Sequence, residues 1–483
     1  MSLSRASGST VADSTTRLFI GGRWVSCPGV FEVRNPFDHA RVAMVAAGDP
    51  DHVTAATAAA EASLAAEFPA HARYEVLMRA ADRVEAQQEA YAWTIAREGS
   101  KTIREARREP PRAANILRLA AEEGRRIAGE TLPFDSRVGS ENRVGYYVRV
   151  PVGVVAAITP FNDPLAAAAH KVGPALAAGN GVVLKPASAT PLSALHLAED
   201  LAAAGLPAGR LNVVTGGGEE VGAPLVVDPR VRMVTFTGGV VTGERVARAA
   251  GIKRLSLELG SNSPVIVLAD ANVHDAVPAI ASGAFAQAGQ NCIGVQRVFV
   301  HDSVYEVFQR GLVAHVSRLR AGSSLDESVD VCAMINDQQA VRLESWIREA
   351  VEAGARVLVG GRRDKAVVWP TVLEDVPPGV RLDREEAYGP VVSLYRVSSL
   401  DEAIDRANNG SYGLHAAIFT ESLRDAFTAA RRLAVGGVMV NDSTDYRLDV
   451  MPFGGTKLSG IGREGIRFAI EAMTDTRVVC FNL

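Results

Sequence analysis

Gly145-Tyr-Tyr-Val-Arg-Val-Pro-Val-Gly-Val-Val-Ala-Ala-Ile158 alternates in polarity and then runs apolar, and Thr159-Pro-Phe-Asn-Asp163-Pro164 interrupts it. Alternation followed by an unbroken apolar run is the pattern of an edge strand followed by a strand buried on both faces. Asp163 and Pro164 supply an N-cap residue and a first-turn proline, so a helix is expected from there to Ala178, with Gly179 ending it. Gly181-Val-Val-Leu-Lys185 then reads as a second short buried strand. The cycle repeats downstream, with helix 192–204, strand 211–214, helix 219–227, strand 233–237, a glycine-rich turn and helix 241–250. Strands and helices alternating at this spacing make a parallel sheet with right-handed crossovers, a doubly wound α/β domain.

A second α/β alternation starts after Glu258, with strand 264–268, helix 274–288, strand 296–300 and helix 303–319, and continues to about 450. Residues 51–130 read as a layer of amphipathic helices broken at Pro110-Pro111. Thr476–Phe481 has strand character but no local partner, which suggests pairing with another subunit. The chain shows no internal repeat and no low-complexity linker.

At 483 residues the chain is long enough for two or three domains. Its net charge of -4 argues against nucleic-acid binding, which needs a concentrated basic surface. No apolar run is long enough to span a membrane, so no membrane partner is expected. The start, Met1 to Arg17, is rich in Ser and Thr and lacks the apolar core of a secretory signal. Its two arginines leave a transit peptide open, and a frayed terminus is the plainer reading. Cys27, Cys292, Cys332 and Cys480 lie far apart, without CxxC or ligand-like spacing to His, so neither disulfides nor a metal site is expected. A reducing, cytoplasmic location follows as an expectation.

Chemistry concentrates in a few places. Cys292 lies in Phe285-Ala-Gln-Ala-Gly-Gln-Asn-Cys292-Ile293, at the end of a helix, where glycine lets the backbone turn the thiol and its peptide N–H toward one ligand. A thiolate is a strong nucleophile at neutral pH and forms thioesters readily, although a lone cysteine is more often a small core residue. Glu258, in Leu257-Glu258-Leu259-Gly260, is a candidate base for activating the water that hydrolyses a thioester, against a plain reading as a capping or paired carboxylate. Asn162 lies past the C-terminal end of a strand, where open parallel sheets bind ligands, and its amide can stabilise an oxyanion or simply satisfy the turn. Asp163 reads as the helix cap. Phe236-Thr-Gly238-Gly239-Val-Val-Thr-Gly243 follows a strand and opens a helix, which suits a pyrophosphate, although it is neither GxGxxG nor a P-loop and is weak by itself.

Taken together, these motifs resemble the aldehyde dehydrogenase superfamily, and the likeness runs from Leu18 through most of the chain. It is carried by Pro160-Phe-Asn162, Lys185-Pro-Ala-Ser188 with Pro191, Phe236-Thr-Gly238, Glu258-Leu-Gly260 and Gly289-Gln-Asn-Cys292. Further on come Glu386-Ala-Tyr388-Gly-Pro390 and Pro452-Phe-Gly-Gly-Thr-Lys457-Leu-Ser-Gly-Ile-Gly-Arg-Glu464. The resemblance implies an α/β fold of three units: a doubly wound cofactor domain (1–125 and 150–258), a second α/β catalytic domain (259–456) and a small β oligomerisation hairpin (126–149 and 457–483). It also implies homodimers or homotetramers, a small-molecule aldehyde as substrate, and NADP or NAD as cofactor.

By the family pattern Cys292 is the nucleophile, Asn162 and the Cys292 N–H form the oxyanion hole, and Glu258 is the deacylation base. The cofactor site would comprise Ile158, Thr159, Pro160, Phe161, Lys185, Ser188, Gly218, Phe236, Gly238, Gly239, Gly243, Leu259, Glu386 and Tyr388. The substrate pocket would comprise Asn162, Ala166, Ala167, His170, Asn291, Ile293 and Arg447. Asn162, Ala166 and His170 recur every four residues and so share a helix face. Phe161 replaces a common Trp, Gly239 a common phosphate-contacting Ser, and Ser188 a Glu of many NAD-selective members. A neutral Ser188 beside Lys185 favours NADP.

Val440-Asn-Asp442, Tyr446-Arg447 and Gly462-Arg-Glu-Gly465 resemble the lactaldehyde, succinate-semialdehyde and phosphonoacetaldehyde dehydrogenase branch more than the retinal-type branch, pointing to a polar semialdehyde or hydroxyaldehyde. Two alternatives are a CoA-acylating relative, which often lacks the glutamate base, and a catalytically silent homologue, which is expected to have lost the thiol, the base or the amide. All three groups are present here.

Overall fold

The structure, a computed structural model, describes residues 15–483. The Ser/Thr-rich start up to residue 14, expected to fray, lies outside the described residues. Val154–Ile158 and Gly181–Lys185 are buried at every position, so both faces of their sheet must be covered. They lie at the middle of an eight-stranded sheet. Its order is Arg23–Val25, Leu18–Ile20, Leu211–Val213, Gly181–Lys185, Val154–Ile158, Val231–Thr237, Arg254–Glu258, Gly460–Ile461. The five strands from Leu211–Val213 to Arg254–Glu258 are parallel, and the outer ones run antiparallel. Side chains alternate between two apolar layers: Val155, Ala157, Val182 and Leu184 pack with Leu77, Ile95 and Leu117 on one face, and Ala156, Ile158 and Val183 with Val53 and Leu225 on the other.

Register decides where the site can form. Ile158 pairs with both Lys185 and Phe236, and Thr237 pairs with Glu258. The loops after these strands therefore leave the sheet at one common C-terminal edge, the ligand-binding edge of such folds. Leu259–Asn262 then cross directly into the first strand of a seven-stranded sheet. Its order is Arg356–Val359, Thr371–Glu374, Val391–Val397, Val295–His301, Ser263–Val267, His415–Phe419, Gly437–Val440, parallel throughout except for the first.

Several expectations are corrected. Pro110 and Pro111 do not break a helix but open one, Glu109–Gly124, where their missing N–H groups cost nothing. Asp163 occupies the N-cap place of Pro164–Ala177 without capping it. Instead Glu109 Oε1 accepts the Leu165 and Ala166 N–H groups at 2.8 and 2.9 Å. Glu98 does the same for Leu192–Ala203, accepting from the Leu192 and Ser193 N–H groups at 2.8 and 3.0 Å. The helical layer before residue 125 thus ties into the crossover helices through buried carboxylates. Helix 219–227 begins as a π-turn, Gly218–Gly222, before Ala223–Val227, and helix 274–288 ends at Phe285.

The C-terminal segment also differs. Thr474–Asn482 finds its partner within the chain, pairing antiparallel along Arg143–Pro151, which pairs in turn with Glu130–Thr131. Gly460–Ile461 edge the first sheet and Ile466–Ala472 pack on its helices. Among the described residues no helix is long and apolar enough to cross a membrane, and no cluster of three or more His, Cys, Asp or Glu could hold a metal.

Removing residues 476–483 strips the edge of Arg143–Pro151 and exposes its unpaired backbone. The truncated protein is expected to melt about 5 °C or more lower and to aggregate, as checked by calorimetry and light scattering. Unchanged melting and size would contradict this role for the strand.

Candidate active site

After Phe285 the backbone enters the left-handed region at consecutive positions, with φ of 56° at Gln287, 54° at Ala288 and 67° at Gly289. For the two non-glycine residues this costs on the order of 1–3 kcal/mol each. Contacts from distant elements hold the turn. The Gln287 N–H donates to Glu105 Oε1 at 2.8 Å, Gln287 Nε2 to Asp163 Oδ1 at 3.3 Å, and the Ile335 N–H to Gln290 Oε1 at 3.0 Å. A Cβ at Gly289 would sit 2.2 Å from the Gly389 carbonyl, so both space and φ require glycine. This turn delivers Cys292, partly buried against Ile293, Leu414 and Phe453. Burial pushes its thiol up, and Arg447 opposes this. Ile293 is buried beside the thiol, whereas Asn291, expected in the substrate pocket, turns its side-chain oxygen back to the Ile293 N–H at 3.2 Å.

Glu258 ends the strand Arg254–Glu258, almost wholly buried, and neither of its carboxyl oxygens has a hydrogen-bond partner among the described residues. A Cβ at Gly454 would come within 3.1 Å of its Oε1, so the carboxyl lies against that glycine. Burial first, and the like charge of Glu464 second, raise its pKa well above the carboxylate range, against the pull of Arg447 and Lys171. Its charge also acts on Cys292, which places the two groups in one electrostatic neighbourhood.

Asn162 lies at the sheet edge, buried, just before the helix Pro164–Ala177. Down that helix, Ala166 is buried, Ala167 half-buried and His170 buried. His170 Nε2 lies 2.9 Å from Asp449 Oδ1, and Arg112 Nη2 donates to the same oxygen at 2.9 Å. Since a carboxylate only accepts and burial keeps the imidazole neutral, Nε2 carries the proton. That leaves Nδ1 a bare acceptor, buried and without a partner among the described residues. Arg447 lies flat on Phe453, 3.7 Å from the ring centroid, with Nη2 3.2 Å from Glu464 Oε2 and its Nε unpartnered. Glu464 also takes Lys171 Nζ at 2.9 Å. Asp163 binds Lys101 instead of capping, and although burial raises it, Lys101 and Arg112 outweigh that and bring it down to about 2.

The cofactor candidates line the same edge. Lys185 is buried with Nζ donating to the Pro186 carbonyl at 3.0 Å, and burial lowers it to about 8. The Ser188 hydroxyl donates to the Gly216 carbonyl at 2.7 Å, so its proton, expected to face a ribose phosphate, is engaged within the turn. Gly239 stands at the N-cap of Val240–Ala250, and a Cβ there, like one at Gly218, would meet no atom within 4 Å. These open backbone positions, with free N–H groups at a helix start, form a cradle suited to a pyrophosphate. Gly238 and Gly243 are packed instead, their Cβ positions 2.6 Å from Phe236 and 2.4 Å from Leu259. Phe161 and Tyr388 meet edge-on at 5.9 Å across the crevice. Glu386 accepts the Ser261 N–H at 2.8 Å, and burial brings it up to about 7. The residues present fit a nicotinamide dinucleotide.

Residues 24–479 match the model of the aldehyde dehydrogenase family. The chain belongs to that family. It is 46% identical over 466 residues to the 3-sulfolactaldehyde dehydrogenase of Priestia aryabhattai, covering 96% of this chain and 98% of the relative. Among solved structures, an aldehyde dehydrogenase of Physcomitrella patens in complex with the reaction product succinate superimposes with a TM-score of 0.95 at 37% identity, covering 98% of this chain and 99% of that one. The NADP-dependent glyceraldehyde-3-phosphate dehydrogenase of Bacillus halodurans C-125, complexed with NADP, gives 0.95 and 37%, covering 97% and 100%.

The protein is therefore an NAD(P)-dependent aldehyde dehydrogenase. Arg447 lies beside His170 and Glu464, and its charge and that of Glu258 both act on Cys292. Sequence reasoning missed Arg112, Lys171 and Asp449 as members of the site. A lysine beside a histidine in an otherwise apolar helix was the available signal, since a buried cation requires a partner. Gly289→Ala is expected to cut aldehyde oxidation at least about 100-fold, because small displacements of reacting groups cost that much. Circular dichroism should stay native and Cys292 alkylation should slow. Near wild-type turnover would show that the turn tolerates a side chain.

Proposed function

We propose that this aldehyde dehydrogenase oxidises a short aldehyde bearing a hydroxyl or anionic group, through a thioester on Cys292. The reading is supported by a buried carboxyl, Glu258, that has no hydrogen-bond partner among the described residues and whose charge, with that of Arg447, acts on the Cys292 thiol. The Cys292 sulfur, having given up its proton, attacks the aldehyde carbon. Asn162 and the Cys292 N–H donate to the resulting oxyanion, an arrangement in which one donor is worth about 100–1,000-fold in rate. Glu386 and Tyr388 would hold the ribose of a nicotinamide, and that group would supply the acceptor for the hydride. Collapse leaves the thioester, and Glu258 takes a proton from the water that attacks it, releasing the acid and the free thiol.

Glu258 must be ionised to act, and burial and Glu464 raise its pKa, so deacylation should speed up with rising pH over a range higher than that of an ordinary carboxylate. Glu258→Gln should leave a burst of about one reduced cofactor per site followed by slow turnover, read by rapid mixing. Cys292→Ala should show neither. Loss of the burst in Glu258→Gln would mean that the carboxylate also deprotonates the thiol.

For the substrate, His170 Nδ1 offers an acceptor to a hydroxyl and Arg447 Nε a charged donor to an anion. Small side chains at Ala166 and Ala167 leave room beside them. The relatives' names fit this reading, designating a sulfonated aldehyde, a succinate product and a phosphorylated aldehyde. Arg447→Ala should lower kcat/KM for succinate semialdehyde by about 10- to 100-fold, the worth of a charge-assisted hydrogen bond. It should change hexanal far less. An equal loss for both would assign Arg447 to the thiol instead of the substrate.

The separate sheets support a cofactor unit of 1–125 and 150–258 and a catalytic unit of 259–456, with 460–472 added to the former. The exposed Val144, Tyr146, Val148, Val478 and Phe481 on the three-stranded sheet support self-association there.

A further inference from the structure

The family resemblance implies that Ser188 stands where a glutamate would meet the adenosine ribose, and its hydroxyl is committed to the Gly216 carbonyl. The π-turn Gly218–Gly222 that follows brings a different carboxylate back over the same loop. A Cβ on Gly217 would fall 1.9 Å from Glu220 Oε2, so the Glu220 side chain folds across the backbone next to the Ser188 acceptor. The turn also packs on Lys185, whose Cδ lies 3.5 Å from the Cβ position of Gly222. Glu220 is exposed and has no hydrogen-bond or ion-pair partner among the described residues, whereas neighbouring Glu219 faces Arg245 at 3.8 Å. Burial acts most on the Lys185 ammonium, and Glu220 is the one charge among the described residues that opposes it appreciably.

We propose that Glu220 is the residue that sets the balance between NAD and NADP, supplying from the π-turn the carboxylate that position 188 lacks. A carboxylate beside Lys185 accepts hydrogen bonds from ribose hydroxyls and opposes a 2′-phosphate. It thereby offsets the advantage that Lys185 and a neutral Ser188 give to NADP, and the enzyme is held close to dual use. The inference rests on the reading that Lys185 and Ser188 meet the ribose.

The test measures binding without aldehyde. Dissociation constants for NADH and NADPH are taken by titration calorimetry at low ionic strength, where an exposed charge is least screened. The proteins are wild type, Glu220→Gln, Glu219→Gln and Ser188→Glu. Glu220→Gln should raise the preference for NADPH over NADH by about fivefold to tenfold, in line with about 1 kcal/mol for an exposed charge. Glu219→Gln should move it less than about twofold, and Ser188→Glu should shift it toward NADH. If Ser188→Glu shifts the ratio and Glu220→Gln does not, Glu220 plays no part and the ribose site stands. If neither shifts it, the ribose site itself is misplaced. Equal shifts in Glu219→Gln and Glu220→Gln would reduce the effect to a general surface field and overturn the assignment.

Discussion

Between Lys101 and the start of the helix Pro164–Ala177 lies the carboxylate of Glu109, with one oxygen 2.6 Å from the ammonium and the other accepting two helix N–H groups. Lys101 reaches past it to Asp163, the residue after Asn162, and Asp163 takes the side chain of Gln287 from the strained turn before Cys292. One buried cation therefore connects the helical layer, the amide donor and the nucleophile's loop. Taking away one partner of such a buried pair typically costs about 3–5 kcal/mol, because the remaining charge is stranded. The strain at Gln287 and Ala288 persists because this knot over-determines the backbone there.

The crevice contains much charge yet is nearly balanced. Lys101, Arg112, Lys171 and Arg447 face Glu109, Asp163, Asp449 and Glu464 in direct pairs or shared contacts. A site built this way does not draw substrates by surplus field. It offers a few atoms without hydrogen-bond partners among the described residues, including the Glu258 oxygens, His170 Nδ1 and Arg447 Nε. Selectivity then comes from matching donors to acceptors, since a substrate lacking the right group leaves them unpaired in a dry pocket.

The strands, their order of appearance and the motif residues were legible in the sequence because each is a local pattern: apolar runs, turn residues, a cysteine in a glycine-flanked bend. The failures share a physical cause. Asp163 looks like a cap because the rule is local, but the caps for both crossover helices come from Glu109 and Glu98, far away in sequence. The helix after Asn272 retains helical composition through Ala288, yet contacts from Glu105 and Asp163 turn the last residues left-handed. Thr476–Phe481 has no local partner because its partner, Arg143–Pro151, is separated from it by both large sheets in the chain order. Buried ion pairs such as Lys171–Glu464 join residues 293 positions apart and leave no periodic trace.

That last separation bears on how the molecule is made. Lys171 lies in a helix of the first sheet, but its counter-charge, Glu464, and the edge strand Gly460–Ile461 are synthesised only after the whole second sheet. Until they emerge from the ribosome, the nascent first unit has an uncompensated cation under its sheet and an open strand edge at Arg254–Glu258. Non-local closure of this kind is slow and leaves aggregation-prone edges in the meantime. The first half of the chain is thus expected to wait in a loosened state, with chaperone-accessible surface, and to lock when the segment carrying Glu464 docks. Assembly of the fold and completion of the catalytic crevice would then be one event.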